Sequence, residues 1–254
     1  MTASAFATAS AIAEVMGFSL GIWMCWITLS GVAARAWKNV FDRPNLIRMF
    51  TVSSDILLRT LMLEAIFVSF TFIGAWFGNE ELAANHVLLQ FFMITAFLLD
   101  GFAFAVEALV GQAFGGKNLK AFRKSALMCS QWGGGAAAIL ALIFAIAGQQ
   151  IVLTITKSPE VQIEAMRYLP YMICLPFVCL GAFMFDGIYI GATRTSVMRD
   201  MMAVSLVVYM IAAAVLIPLF HNHGLWMALL ISFLARGGTL AFRYPEIEAS
   251  LKKT

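Results

Sequence analysis

Seven apolar stretches occupy residues 9–34, 53–77, 84–112, 126–148, 163–191, 197–219 and 223–241. Each approaches or exceeds the 20 or so residues that carry an α-helix across the hydrocarbon core of a bilayer. Nothing else in the chain constrains the fold as strongly. Hydrocarbon offers the backbone no hydrogen bonds, so a spanning segment is either a helix or a strand of a closed barrel. Barrel strands alternate apolar and polar side chains over about ten residues, and stretches such as 136–147 do not alternate. The expected fold is therefore all-α, a polytopic transmembrane helical bundle of about seven membrane-spanning helices.

Composition excludes a soluble alternative. The chain is 61% hydrophobic and only 12% charged, with a mean hydropathy of +0.87. A soluble domain has about 25% charged residues, so this chain could not cover its surface in water. Its first partner is the lipid bilayer. The first ten residues carry no basic side chain, whereas a secretory signal begins with a positive region.

Charge between the spans is one-sided. Arg35, Lys38, Arg43 and Arg48 follow the first span, and Lys117, Lys120, Arg123 and Lys124 follow the third. Arg194 and Arg199 follow the fifth, and Arg236, Arg243, Lys252 and Lys253 lie at or beyond the end of the seventh. The other side shows Glu80, Glu81, Glu160 and Glu164, with Lys157 and Arg167 as its basic residues. Basic loops stay in the cytoplasm, which puts the C-terminus inside and the N-terminus outside. The net charge of +3 reads as a topology signal and gives no support to a nucleic-acid role. An odd number of spans with an external N-terminus and no signal region suggests a chain that begins partway through a longer protein.

Intramembrane ionisable groups are costly and mark function by default. Glu64 falls about 16 Å into the second span at 1.5 Å per residue. It is a poor match for Arg59, about 140° away around the helix. Asp55 and Arg59, four apart on one face, read as a structural ion pair anchoring that span. Asp100 and Glu107 are seven apart, so they share a stripe of the third span about 10 Å long. That stripe suits a stepping path for a proton or cation, and Glu107 equally suits pairing with a basic loop residue. Asp186 sits among Phe183, Phe185 and Tyr189, where charge and cation–π contact could hold an organic cation; a polar contact at the helix end is the bland alternative.

The remaining chemistry is sparse. Cys25, Cys129, Cys174 and Cys179 lie in apolar helices without metal or redox spacing and read as small hydrophobes. His221 and His223 lack a third ligand for a metal site. Gly111 to Lys117 imitates a phosphate loop but closes a membrane helix and follows no strand. The chain reads as a non-enzyme, with no cofactor and no metal. Gly111/Gly115 and Gly187/Gly191 have the spacing that lets membrane helices touch, and Pro170 and Pro176 predict a kink in the fifth span.

Two motifs resemble a known family. The run Asp100-Gly-Phe-Ala-Phe-Ala-Val-Glu-Ala-Leu-Val-Gly-Gln-Ala-Phe-Gly-Gly-Lys-Asn118 is similar to a helix and loop of the multidrug and toxic compound extrusion (MATE) transporters, in their DNA-damage-inducible-protein-F-like branch. Asp186-Gly-Ile-Tyr-Ile-Gly-Ala-Thr-Arg-Thr195, with Met198-Arg-Asp-Met-Met202, resembles a later helix of that branch, and Asp55-Ile-Leu-Leu-Arg-Thr60 fits it too. The resemblance implies two six-helix lobes exporting organic cationic or lipophilic drugs in exchange for H+ or Na+ across the bacterial inner membrane. It implies that residues 1–36 form the last helix of a missing first lobe, 37–52 a cytoplasmic connecting segment, and 53–254 the second lobe. It also implies ion-coupling or substrate-binding roles at Glu64 and Asp186. With Asp100 from the residue reading, these are the candidate site, and Asp55, Arg59 and Glu107 are possible supports. A lipid-linked precursor flippase of a related superfamily, and a non-transporting truncated membrane protein, are the rival readings.

Overall fold

The computed structural model describes residues 3–29 and 42–252. Seven helices run through them: α1 (Ala3–Leu29), α2 (Arg43–Gly74), α3 (Asn79–Gly115), α4 (Leu119–Ile155), α5 (Pro159–Gly191), α6 (Thr195–Phe220) and α7 (Asn222–Lys252). α2 to α7 are each long and apolar enough to cross a membrane, and α1 contributes a shorter apolar stretch, Ala11–Ile27. The all-helical, polytopic expectation holds.

The chain divides into two compact units, Met1–Thr51 and Val52–Thr254. In the first, α1 exposes large apolar side chains such as Phe18, Trp23 and Trp26. Residues 30–34 of the first expected span, and 37–41 of the expected connecting segment, lie outside the described residues, as do Arg35, Lys38 and Lys253. The second expected span begins at 53, but α2 starts ten residues earlier, at Arg43.

In the second unit most helices overrun their apolar cores. α7 continues to Lys252, eleven residues past the expected end at 241. Even the shortest, α6 at 26 residues, is about 39 Å long, more than the roughly 30 Å of hydrocarbon. The ends carry charge into the interfaces, where a helix already propagating needs no apolar residues to continue. α5 runs unbroken through Pro170 and Pro176.

α5 is the central element, packed against α3, α4 and α7. Glycines set these crossings. A Cβ at Gly187 would run into the Ala103 carbonyl oxygen, and Gly111 lies against the Gly191 backbone. Gly237 of α7 faces Gly181 and Ala182, where a Cβ would sit 3.1 Å from the Ala182 nitrogen. Of the expected small-residue pairs, Gly187/Gly191 and Gly111 make close contacts between α3 and α5, whereas Gly115 faces open space. α2 packs through large side chains instead: Phe70 meets Trp226 edge-on at 4.7 Å, and Phe67 meets Phe92 at 4.9 Å. The outer faces expose Phe97, Phe104, Trp132, Ile146 and Phe242, the surface a lipid solvent requires.

α3 and α5 end in the same turn. Lys117 and Thr193 both take φ 52°, and the Asn118 and Arg194 N–H groups donate back to the Ala113 and Tyr189 carbonyls at 2.9 Å. This bonding caps the last carbonyls of each helix. At the opposite end, Asn85 and Asn222 exchange amide hydrogen bonds at 2.9 and 3.0 Å, and the Trp226 indole donates to Asn85 Oδ1 at 2.9 Å. That buried network satisfies every group it contains through its own members, as a core amide pair must.

Candidate functional site: a buried charge cluster

Four charged side chains from four helices converge inside the second unit. Asp186, on α5, accepts hydrogen bonds through one oxygen, Oδ2, from both Arg59 of α2 and Arg236 of α7. The side chains of Arg59, Asp186 and Arg236 are 20%, 7% and 3% exposed. Arg59 is also close enough to Asp100 of α3 for their opposite charges to attract. Asp100 is half-buried and has no base within ion-pair distance among the described residues.

The packing explains how this cluster forms. The glycine contact between Gly237 and Gly181 brings the α5 and α7 backbones together. Arg236 adjoins that contact, and Asp186 stands one turn beyond it along α5. Gly187, the next residue after Asp186, lets α3 approach from the other side, which brings Asp100 into range. The cluster is incompletely satisfied: Asp186 Oδ1 and the Nε atoms of Arg59 and Arg236 are buried without a hydrogen-bond partner. Buried polar groups left in this state are uncommon in folded proteins.

Three readings from the sequence are corrected here. Asp55 and Arg59 do not pair with each other. Arg199 donates to Asp55 Oδ1 at 2.6 Å, and the Thr195 hydroxyl donates to Asp55 Oδ2 at 3.1 Å, while Arg59 turns to Asp186. Sharing a face permits a pair four residues apart, but a buried carboxylate that satisfies both oxygens across helices gains more. Arg236 does not lie at or beyond the end of the last span; it sits mid-way along α7 and is buried. The aromatic surround expected at Asp186 is engaged elsewhere: Phe185 packs against Tyr244 with ring centroids 6.0 Å apart, and the Tyr189 hydroxyl donates to the Leu240 carbonyl at 2.9 Å.

The other candidates are separate. Glu64 is exposed on α2 between exposed Leu61 and Val68, with no ion-pair partner among the described residues. Glu107 is half-buried, and the basic loop partner considered for it is not within ion-pair distance among the described residues. Two bases of that end bond elsewhere: Arg123 of α4 holds Glu248 at 2.8 and 2.5 Å, and Arg243 of α7 holds Glu246 at 2.8 Å. His223 lies against the Tyr168 ring, with Nδ1 3.1 Å from the Tyr171 hydroxyl. No cluster of three potential metal ligands occurs among the described residues.

Sequence reasoning missed Arg236, Thr195 and Arg199 as partners. The signal for Arg236 was available: it stands 14 residues into a run that starts at Asn222, too deep for an interface if that run is a spanning helix.

Comparison with known proteins decides the family. The MatE family model matches residues 56–218. The chain belongs to the MATE family. This is the multidrug and toxic compound extrusion class of transporters, as the two Asp-Gly motifs implied. The DNA damage-inducible protein F of Escherichia coli (strain K12) is 35% identical over 247 residues, 95% of this chain and 52% of that protein. Protein DETOXIFICATION 42 of Arabidopsis thaliana is 27% identical over 154 residues, 61% of this chain and 30% of that protein. Among solved structures, the bent form of the Vibrio cholerae MATE transporter VcmN matches with a TM-score of 0.81 at 17% identity, over 96% of this chain and 56% of VcmN. The chain thus spans about half the length of the bacterial MATE proteins it matches.

Proposed function

We propose that this chain supplies one lobe of a cation-coupled multidrug efflux antiporter of the bacterial inner membrane. H+ or Na+ entering would drive organic cationic or lipophilic drugs out. The observation that carries the reading is Asp100, a half-buried carboxylate mid-way along a long apolar helix with no directly bonded base among the described residues. Such a group is costly in hydrocarbon and is stable there only where water, an ion or a substrate can reach it. Glu64, exposed on a mid-helix face, belongs on the same accessible surface, facing a cavity instead of lipid. Residues 53–254 form the six-helix lobe in this reading, with residues 1–36 and 37–52 as the preceding helix and connector. The end rich in Lys and Arg, with the C-terminus, faces the cytoplasm.

Alternating access needs two bundles that rock around a midplane site, so the lobe works against a second one. In a complete two-lobe transporter carrying this chain in proteoliposomes, Asp100→Asn is expected to remove efflux driven by a Na+ or proton gradient while insertion stays normal. Unchanged efflux would contradict the assignment of Asp100. A transporter inactive with Asp100 intact would favour the non-transporting reading. A lipid-linked precursor flippase needs free bases for pyrophosphate; Arg59 and Arg236 are both committed to Asp186, which favours the antiporter.

A further inference from the structure

Asp186 is the most enclosed acid of the cluster, and a carboxylate in such a place needs a cation beside it. Here the protein provides two. Taken with Asp100, the group of two arginines and two aspartates sums to zero charge. Remove Arg236, and the same group sums to minus one. Among the described residues the packed helices leave this sum unchanged. The charged residues of α4 are Lys120, Arg123 and Lys124, all in its first turns, and those of α6 are Arg199 and Asp200, which serve Asp55 and each other. The other charges of α5 and α7 lie near the helix ends, at Glu160, Glu164 and Arg167 and at Arg243, Glu246, Glu248 and Lys252. On α2 the next acid toward the basic end, Asp55, is already neutralised by Arg199. Glu64 stands farther along α2 on its exposed face. On α3, Glu107 lies two turns beyond Asp100 toward the basic end.

We infer that Arg236 is a tethered counter-cation, which occupies on Asp186 the position a mobile ion would otherwise take. Three features support this. Arg236 is almost wholly buried, so its guanidinium has given up water for this one contact. It enters beside the glycine contact between α5 and α7, which fixes its distance to Asp186. It donates to the same oxygen that Arg59 already uses, so it adds charge neutralisation beyond what a single pair provides. Asp186 is then a fixed structural anion, and ion exchange in this lobe runs through another carboxylate. That consequence rests on the antiporter reading; the counter-cation role does not.

The test is thermal unfolding of the purified full chain in detergent, with NaCl compared against N-methylglucamine chloride at equal ionic strength, and at neutral against acid pH. The wild type is expected to respond little to either change. Arg236→Gln should melt lower in Na+-free neutral buffer and regain stability with Na+ or acid, because its cluster now lacks one positive charge. Arg236→Lys should behave as the wild type. If Arg236→Gln does not fold, the double variant Arg236→Gln/Asp186→Asn should fold, since it buries no unmatched acid; loss of fold in both overturns the inference. An Arg236→Gln protein that responds to Na+ and acid no more than the wild type also overturns it. So does a wild type whose Na+-dependent stability disappears in Asp186→Asn. None of these readouts requires transport, so failure here is separate from failure of the antiporter reading.

Discussion

Asp100-Gly101 and Asp186-Gly187 are the same dipeptide set into two long helices that end in the same turn, yet their surroundings are opposite. Around Asp186 every neighbour closes in: α3 presses on Gly187, α7 approaches through Gly237, and two arginines share one oxygen. Around Asp100 the packing opens. Gly101 is exposed, a Cβ there would meet nothing within 4 Å, and Arg59 acts on Asp100 only at a distance. One acid is sealed and neutralised by the protein. The other stays half-buried, as the exchanging role proposed for it would require. A local motif therefore says little about role until the neighbouring helices are known.

Stability measurements can break or sharpen this contrast. The largest effect is expected from Asp186→Ala, which leaves the buried Arg236 and the half-buried Arg59 without their acid. Removing one partner of a buried pair costs about 3–5 kcal/mol, and chemical unfolding in detergent should show a loss of that order. A loss no greater than that of Asp100→Ala would erase the distinction.

The glycines come next. Gly187→Ala drives a Cβ into the Ala103 carbonyl and should cost about 1–3 kcal/mol, the usual penalty for overpacking. Gly101→Ala meets open space in a helix interior and should stabilise by about 0.5–1 kcal/mol. Melting temperatures that move in the same direction for both variants would count against the open and closed environments described. The smallest stability effect belongs to Asp100→Asn. It breaks no direct ion pair, so the change should stay within about 1 kcal/mol, as for weakly coupled partly exposed charges.

Much of the fold was legible in the sequence because lipid demands long apolar helices, and those are visible by composition alone. The helix ends were not. Arg43, Glu80 and Lys252 are polar, so they fall outside an apolar count, but a helix that has cleared the hydrocarbon continues on its own hydrogen bonds. Grouping Arg236 with the basic residues at the end of the last span hid it, although position 236 lies inside 223–241 and α7, which runs to Lys252, places it mid-way along a helix. The acids themselves were found, because a charge in an apolar run is conspicuous. Their partners were not. Spacing along one helix offered Arg59 to Asp55, while the fold gave Asp55 to Arg199 and Thr195, and Arg59 to Asp186. Partners supplied by helices more than a hundred residues apart leave no periodic trace in the chain.

The most direct test of the contrast is chemical. A hydrophobic carbodiimide reacts with protonated carboxyl groups it can reach in a membrane protein, and mass spectrometry of the labelled chain locates the adduct. The account predicts modification at Asp100, reduced by Na+ or by a bound organic cation, and none at Asp186. Labelling of Asp186 with Asp100 untouched would contradict it.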